Sequence, residues 1–368
     1  MGWASDERSR DWMDGEKDSC SSRPRTLVSC SYDGAVKLWC LSTGRAWRTL
    51  PHDGEVMSVV ASPDGRYLLS ADYDGVATVW SARGTMLRKL QGREGGLYTA
   101  NFSPDGQLVL TASANGVACC WRWRTEEVQW LLSGHEGWYM RSAAFSPDGL
   151  SIVTTSSDHS LRLWRLESEA REAPELVRTL QGHEGWVNTA YFSPDGTLIL
   201  SAAADKMAKT WCARTGDVVS TFQGHWSYVR SAVFSPQQSY VLTASADWTA
   251  KLWDTKSGSC VQTYLGHEQW VNMASFAHGI SKIVTCSRDC TARLWMTRSG
   301  LCLRSFEGHK DFVMWCLVPE LRGLGLKGES RDDWQDTKDT MMTWNGADEA
   351  QQNRDSDGKS RATASLPD

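Results

Sequence analysis

Between residues 26 and 319 the chain is a succession of short apolar runs, four to seven residues long, each halted by a turn signal. Runs such as YLLSA at 67–71, QLVLTAS at 107–113 and YVLTAS at 240–245 are rich in Val, Leu and aromatics, the composition of β-strands. Ser-Pro-Asp-Gly appears at 62–65, 103–106, 146–149 and 193–196 and supplies turn residues between the runs. Outside this region the pattern stops. Residues 1–24 form a polar extension. Residues 320–368 are polar and charged, with few apolar positions beyond Met341–Trp344, and are expected to be disordered apart from a short helix around 332–342.

The runs repeat. Trp39, Trp80, Trp121, Trp164, Trp211, Trp253 and Trp295 follow one another at spacings of 41, 41, 43, 47, 42 and 42 residues. Six residues before each stands a turn residue: Asp33, Asp74, Asn115, Asp158, Asp205, Asp247 and Asp289. Four residues earlier stands a hydroxyl: Ser29, Ser70, Thr111, Thr154, Ser201, Thr243 and Thr285. Four strands in a unit of about 42 residues make one propeller blade.

With these motifs the chain resembles the WD40 repeat family. The Gly-His pair of that family stands at Gly134–His135, Gly182–His183, Gly224–His225, Gly266–His267 and Gly308–His309, and as Pro51–His52 in one unit. The eponymous Trp-Asp survives once, at Trp253–Asp254. The resemblance implies an all-β, seven-bladed propeller over residues 25–319. It also gives each His a place beside its hydroxyl, turn Asp and Trp. An indole N–H only donates, a hydroxyl accepts and donates, a neutral imidazole does both and a carboxylate accepts, so the four can satisfy one another when buried. A Ser-His-Asp catalytic triad is the competing reading. A nucleophile is not needed seven times, and the Trp accounts for the hydroxyl. One unit breaks the pattern, with Arg93 for His and Asn115 for Asp, and is expected to be the weakest.

The ring has to close. The first unit begins at its second strand, TLVSCS, and the chain ends its repeats on DFVMWCLVP, a first strand without successors. The C-terminal strand is therefore expected to complete the N-terminal blade, bringing His309 to Ser29, Asp33 and Trp39.

Composition narrows the function. A net charge of −5 and a pI near 5.9 argue against a nucleic-acid partner. No apolar run is long enough to span a membrane, and the N-terminus lacks the pattern of a secretory signal or a myristoylation site. Eleven cysteines without a CxxC pair read as reduced thiols of an intracellular protein, cytoplasmic or nuclear. No phosphate-binding loop, HExxH or zinc spacing is present, so no catalytic residue, metal or cofactor is expected. Cys286 and Cys290 are four apart, on a predicted strand and turn rather than in a ligand cluster.

A monomeric, non-catalytic scaffold for other proteins or peptides is the expected function. In the family, partners often dock on the top face, formed by the loops before each first strand and by the turns between second and third strands. Carried over by position, that face holds Trp138, Trp186, Asn188, Tyr228, Arg230, Trp270, Asn272 and Phe312, with Tyr32, Tyr73 and Arg288 from the turns. Trp248 and Trp226 stand beside Tyr228. The loop at 134–140 has one extra residue, so Tyr139 and Arg141 compete there with Trp138 and Met140. The contrary reading is that these Trp residues pack between loops. An insert at 165–176, with Glu167, Glu169, Glu172 and Glu175, reads as a solvated loop or an acidic docking site. Two other functions were weighed. Trp80–Arg83, Trp211–Arg214 and Trp295–Arg298 look like the Trp-Asp-x-Arg motif of cullin-type ubiquitin-ligase receptors, but all three lack its Asp. An enzyme on a propeller would need convergent acid–base residues, which the sequence does not offer.

Overall fold

Twenty-eight short strands assemble into seven antiparallel sheets of four strands each, with no helix among the described residues. The structure is a computed structural model that describes residues 26–91, 95–166, 174–277 and 279–321. All of these lie in one unit, Met1–Leu324. The expectations for the two tails up to residue 24 and beyond residue 321, for Arg93 and for Glu167, Glu169 and Glu172 fall outside the described residues.

Within a blade the strands run a to d from the centre outward, and burial falls from strand b to strand d. In the blade of Trp39, taken as blade 1, strand b (Thr26–Ser31) is buried at all six positions. Strand d (Ala46–Pro51) is buried only at Leu50. This gradient explains why strand b reads as a continuous apolar run and strand d as a mostly polar one. The single buried residue of strand d meets the next blade. Phe306 of blade 7 lies edge-on to Trp39 of blade 1 with ring centroids 6.0 Å apart, and Tyr264 meets Trp295 in the same way at 6.0 Å. Each repeated Trp is thus a contact between blades, where burial of a large side chain contributes roughly 2 kcal/mol.

Six blades take their strands in chain order, and blade 1 does not. Its order is Val313–Leu317, Thr26–Ser31, Ala35–Cys40, Ala46–Pro51. The C-terminal strand pairs in register with the N-terminal one through Val28↔Leu317, Ser29↔Cys316, Cys30↔Trp315 and Ser31↔Val313. Around the centre each strand a touches strand a of the next blade. Val271–Ala277 of blade 7 touches Val313–Leu317, which touches Val56–Ala61 of blade 2. The ring is closed as the strand inventory anticipated, and only the short inner and outer edges, strands a and d, stay unpaired.

At the seam, Ser29 Oγ lies 2.8 Å from His309 Nε2 and accepts the Trp39 indole N–H at 2.8 Å. His309 Nδ1 lies 2.9 Å from Asp33 Oδ2. The hydrogen bonds span 276–280 residues of sequence and hold the two ends of the repeat array together. His309→Ala is expected to lower stability by about 1–3 kcal/mol, because it strands Asp33 and Ser29 in a buried site. Deletion of residues 312–319 should abolish cooperative urea unfolding followed by Trp fluorescence. A deletion variant with the wild-type midpoint would contradict the closure.

Candidate functional site

The top face is held in place by the polar network beneath it. In blades 1, 4, 5, 6 and 7 the whole chain of four groups is made. His135, His183, His225 and His267 set Nε2 at 3.0, 2.7, 2.7 and 2.7 Å from the hydroxyls of Thr154, Ser201, Thr243 and Thr285. Their Nδ1 atoms lie 2.7, 2.6, 2.7 and 2.6 Å from Asp158, Asp205, Asp247 and Asp289. The indoles of Trp164, Trp211, Trp253 and Trp295 donate to the same hydroxyls at 3.0, 2.8, 2.8 and 2.8 Å. A carboxylate can only accept, so Nδ1 carries the proton, Nε2 accepts, and the hydroxyl donates to it. Burial opposes the charge on Asp33 and Asp158, yet their hydrogen bonds prevail and hold both carboxyls down at about 2. The connectivity is that of a Ser-His-Asp triad, but each hydroxyl is fully buried and already accepts an indole N–H, which is a structural arrangement rather than one open to substrate.

Two blades depart from this. In blade 2, His52 Nε2 meets Ser70 at 2.6 Å and Trp80 donates to Ser70 at 2.9 Å, but Nδ1 faces the Leu50 carbonyl at 3.2 Å. Asp74, expected to take that proton, is exposed instead. The residue upstream differs as well. Gly182, Gly224, Gly266 and Gly308 precede their histidines with φ of 148°, 146°, 143° and 135°. Pro51 holds that place in blade 2, and its ring locks φ near −65°, although Gly134 leads into the complete network of blade 4 without a positive φ. In blade 3 the sequence has Arg93 in place of the histidine; Trp121 donates to Thr111 at 3.2 Å, and the Thr111 hydroxyl donates to the Cys119 carbonyl at 3.2 Å, a bond that Ser201 and Thr243 also make at 3.3 Å. Asn115 caps its own turn by accepting from Val117 N–H at 3.1 Å.

Above this layer the backbone aims side chains at the central channel. Strand a carries a register shift near its start in every blade, which leaves Met57, Tyr98, Arg141, Asn188, Arg230, Asn272 and Met314 without a paired partner. A bulge of this kind re-aims the extra side chain. The extra residue in the blade 4 loop therefore shifts the motif by one, and Arg141 takes the bulge position while Met140 is buried.

A cavity of 490 Å³ opens at the channel mouth, lined by Tyr32, Glu55, Met57, Tyr73, Tyr98, Arg141, Trp186, Asn188, Ala204, Tyr228, Arg230, Trp270 and Arg288. It brings together eight of the expected residues: Tyr32, Tyr73, Trp186, Asn188, Tyr228, Arg230, Trp270 and Arg288. Trp138, Trp248, Asn272 and Phe312 stand outside it. Asn272 is a correction to the expected contact surface, since it is buried and its amide donates to the Val313 carbonyl of the next blade at 2.9 Å. Asn188 makes the same blade-to-blade bond, to Val229 at 2.7 Å, and accepts from Arg141 at 3.0 Å. Phe312 packs on Tyr32 with centroids 5.9 Å apart. The outer rings are not covered by their neighbours: Trp186, Tyr228 and Trp248 are 48%, 46% and 52% exposed, and Trp226 reaches 84%. Trp270 is half-buried, with the Arg288 guanidinium 3.9 Å from its centroid. Arg141 was a weaker signal in the sequence, because only the loop length reveals which residue of 138–141 faces inward.

A closed ring of seven four-stranded antiparallel sheets is a seven-bladed β-propeller. The family described as WD domain, G-beta repeat, matches the chain at residues 18–40, 44–81, 84–122, 126–165, 174–212, 216–254 and 258–296, and the chain belongs to the WD40 repeat family. Among curated proteins no match to the chain was found. The first matched segment is the shortest and lacks the strand that Val313–Leu317 provides. Propellers of this family generally bind other proteins and are typically non-catalytic.

The blade 2 variant generates a pH signature. Burial brings the His52 imidazole down to about 4, against the Leu50 hydrogen bond, which on its own would raise it. An unfolded His titrates near 6.5. The unfolded chain therefore binds more protons between pH 6.5 and 4, and stability falls as pH falls through that window. The Asp33 and Asp158 contributions are lost only below about pH 4, the unfolded carboxylate range. Between pH 7 and 5, His52→Gln should remove about 2 kcal/mol of the wild-type loss measured by urea unfolding. An unchanged slope in the variant would contradict the placement of His52.

Proposed function

We propose that the chain is a non-catalytic interaction scaffold that presents its top face to partner proteins or peptides. The observation that carries this reading is the arc of Trp186, Tyr228, Trp248 and Trp270 on consecutive blades, three of them about half exposed. Large rigid aromatics gain most from desolvation at an interface and lose little rotamer entropy in doing so.

The test is affinity capture from cells with quantitative mass spectrometry, comparing Trp186→Ala with Tyr228→Ala against a control pair. The control is Val261→Ser with Leu301→Ser, exposed apolar residues on the outer rim at 50% and 62% exposure. In folded protein the top-face pair should lose its reproducible partners by about tenfold or more, the effect of one or two lost hot spots, and the control should keep them. Equal retention by both pairs would refute the proposal.

A further inference from the structure

The cavity at the channel mouth is cationic in a chain that is acidic overall. Its charged lining is Arg141, Arg230, Arg288 and Glu55, three positive against one negative, or +2, while the whole chain carries −5. Two of the three arginines stand on strands a of blades 4 and 6, at the bulge positions aimed inward. The third is on the b–c turn of blade 7.

No ion pair engages any of the three among the described residues. Arg288 lies over Trp270 at 3.9 Å and Phe312 at 4.9 Å, and Arg141 over Tyr98 at 5.0 Å and Trp186 at 5.9 Å. Aromatic faces and the Asn188 amide hold these guanidiniums in position, which leaves charge unneutralised. The Nε atoms of Arg230 and Arg288 are buried without a hydrogen-bond partner. Burial, then the neighbouring Arg141 and Arg288, bring the Arg230 guanidinium down to about 10. Like charges gathered in a half-closed site repel one another until an anion enters. A cationic partner is disfavoured twice, by the net charge and because the aromatic faces are already occupied by the protein's own guanidiniums.

We infer that the channel mouth binds a phosphorylated side chain of a partner peptide, with Arg141, Arg230 and Arg288 converging on the phosphoryl group and the surrounding aromatics taking the flanking residues. A phosphoryl monoester carries close to two negative charges and three acceptor oxygens, which matches +2 and three separate guanidiniums. A single carboxylate offers one charge and two oxygens. This assignment rests on the scaffold reading and refines it.

The probe is a pool of fluorescent 11-residue peptides with a central phosphoserine and degenerate flanks, alongside matched pools with serine or glutamate at the centre. Binding to the full chain is read by anisotropy. The phosphoserine pool should bind at least tenfold more tightly than the serine pool, lose that advantage in Arg230→Gln, and weaken as salt rises. Inorganic phosphate should raise the melting temperature of the wild type more than that of Arg230→Gln. Without phosphate the variant should melt no lower than wild type, since it relieves repulsion. Equal binding of phosphoserine and serine pools overturns the inference, and so does equal binding of phosphoserine and glutamate pools. Partner capture that needs Trp186 and Tyr228, yet survives phosphatase treatment and Arg230→Gln, keeps the scaffold and sinks the phosphoryl site. Capture indifferent to Trp186 and Tyr228 sinks the scaffold reading itself.

Discussion

The fold depends on a buried indole N–H that has to be satisfied. A Trp between blades removes a large apolar surface from water but carries a donor into the interior, and an unpaired buried donor costs about as much as a hydrogen bond is worth. Ser or Thr on strand b accepts that proton, His in the preceding loop accepts the hydroxyl proton, and the turn Asp accepts from His. Each blade thereby ties its own b–c turn to the loop that arrives from the blade before. In blade 1 the loop arrives from the far end of the repeats, so the same four groups that order a blade also close the ring.

In the proposed scaffold role this rigidity serves recognition. Loops that would otherwise be mobile are pinned from below by histidine and aspartate, and the bulges above them turn one side chain per blade toward the channel. The result divides the top face into two zones. The rim carries exposed aromatics, and the mouth carries oriented arginines whose charge the protein itself leaves largely uncompensated. A scaffold of this kind separates stability from specificity, because residues at the bulge and turn positions can change without touching the network.

The repeated elements were legible because the network demands fixed residue types at fixed offsets. Ser29 and Trp39, ten apart, mark strands b and c in the sequence, and the unpaired strand at 313–317 implies the closure. Where one residue type depends on the conformation of another, the reading failed. Asp74 stands at the network position, yet His52 turns Nδ1 to the Leu50 carbonyl and the carboxylate is left in solvent. Asn272 matches a top-face position by count but spends its amide on the next blade. The meeting of Arg141, Arg230 and Arg288 was not readable either. They lie on three blades, and only the bulges and the shifted loop of blade 4 decide that they share one cavity.

The central claim is that the completeness of the network sets the local stability of each blade. Native-state hydrogen exchange on the strand b amides tests it most directly, since locally weak elements open first. Leu108–Ser113 of blade 3, whose unit has Arg93 for the histidine and Asn115 for the aspartate, should exchange fastest, followed by Tyr67–Asp72 of blade 2, where the aspartate is missing from the chain of bonds. Ser151–Ser156, Leu198–Ala203, Tyr240–Ser245 and Lys282–Ser287, whose networks are complete, should be the most protected. Uniform protection across all of these strands, or fastest exchange in one of the last four, would contradict the account.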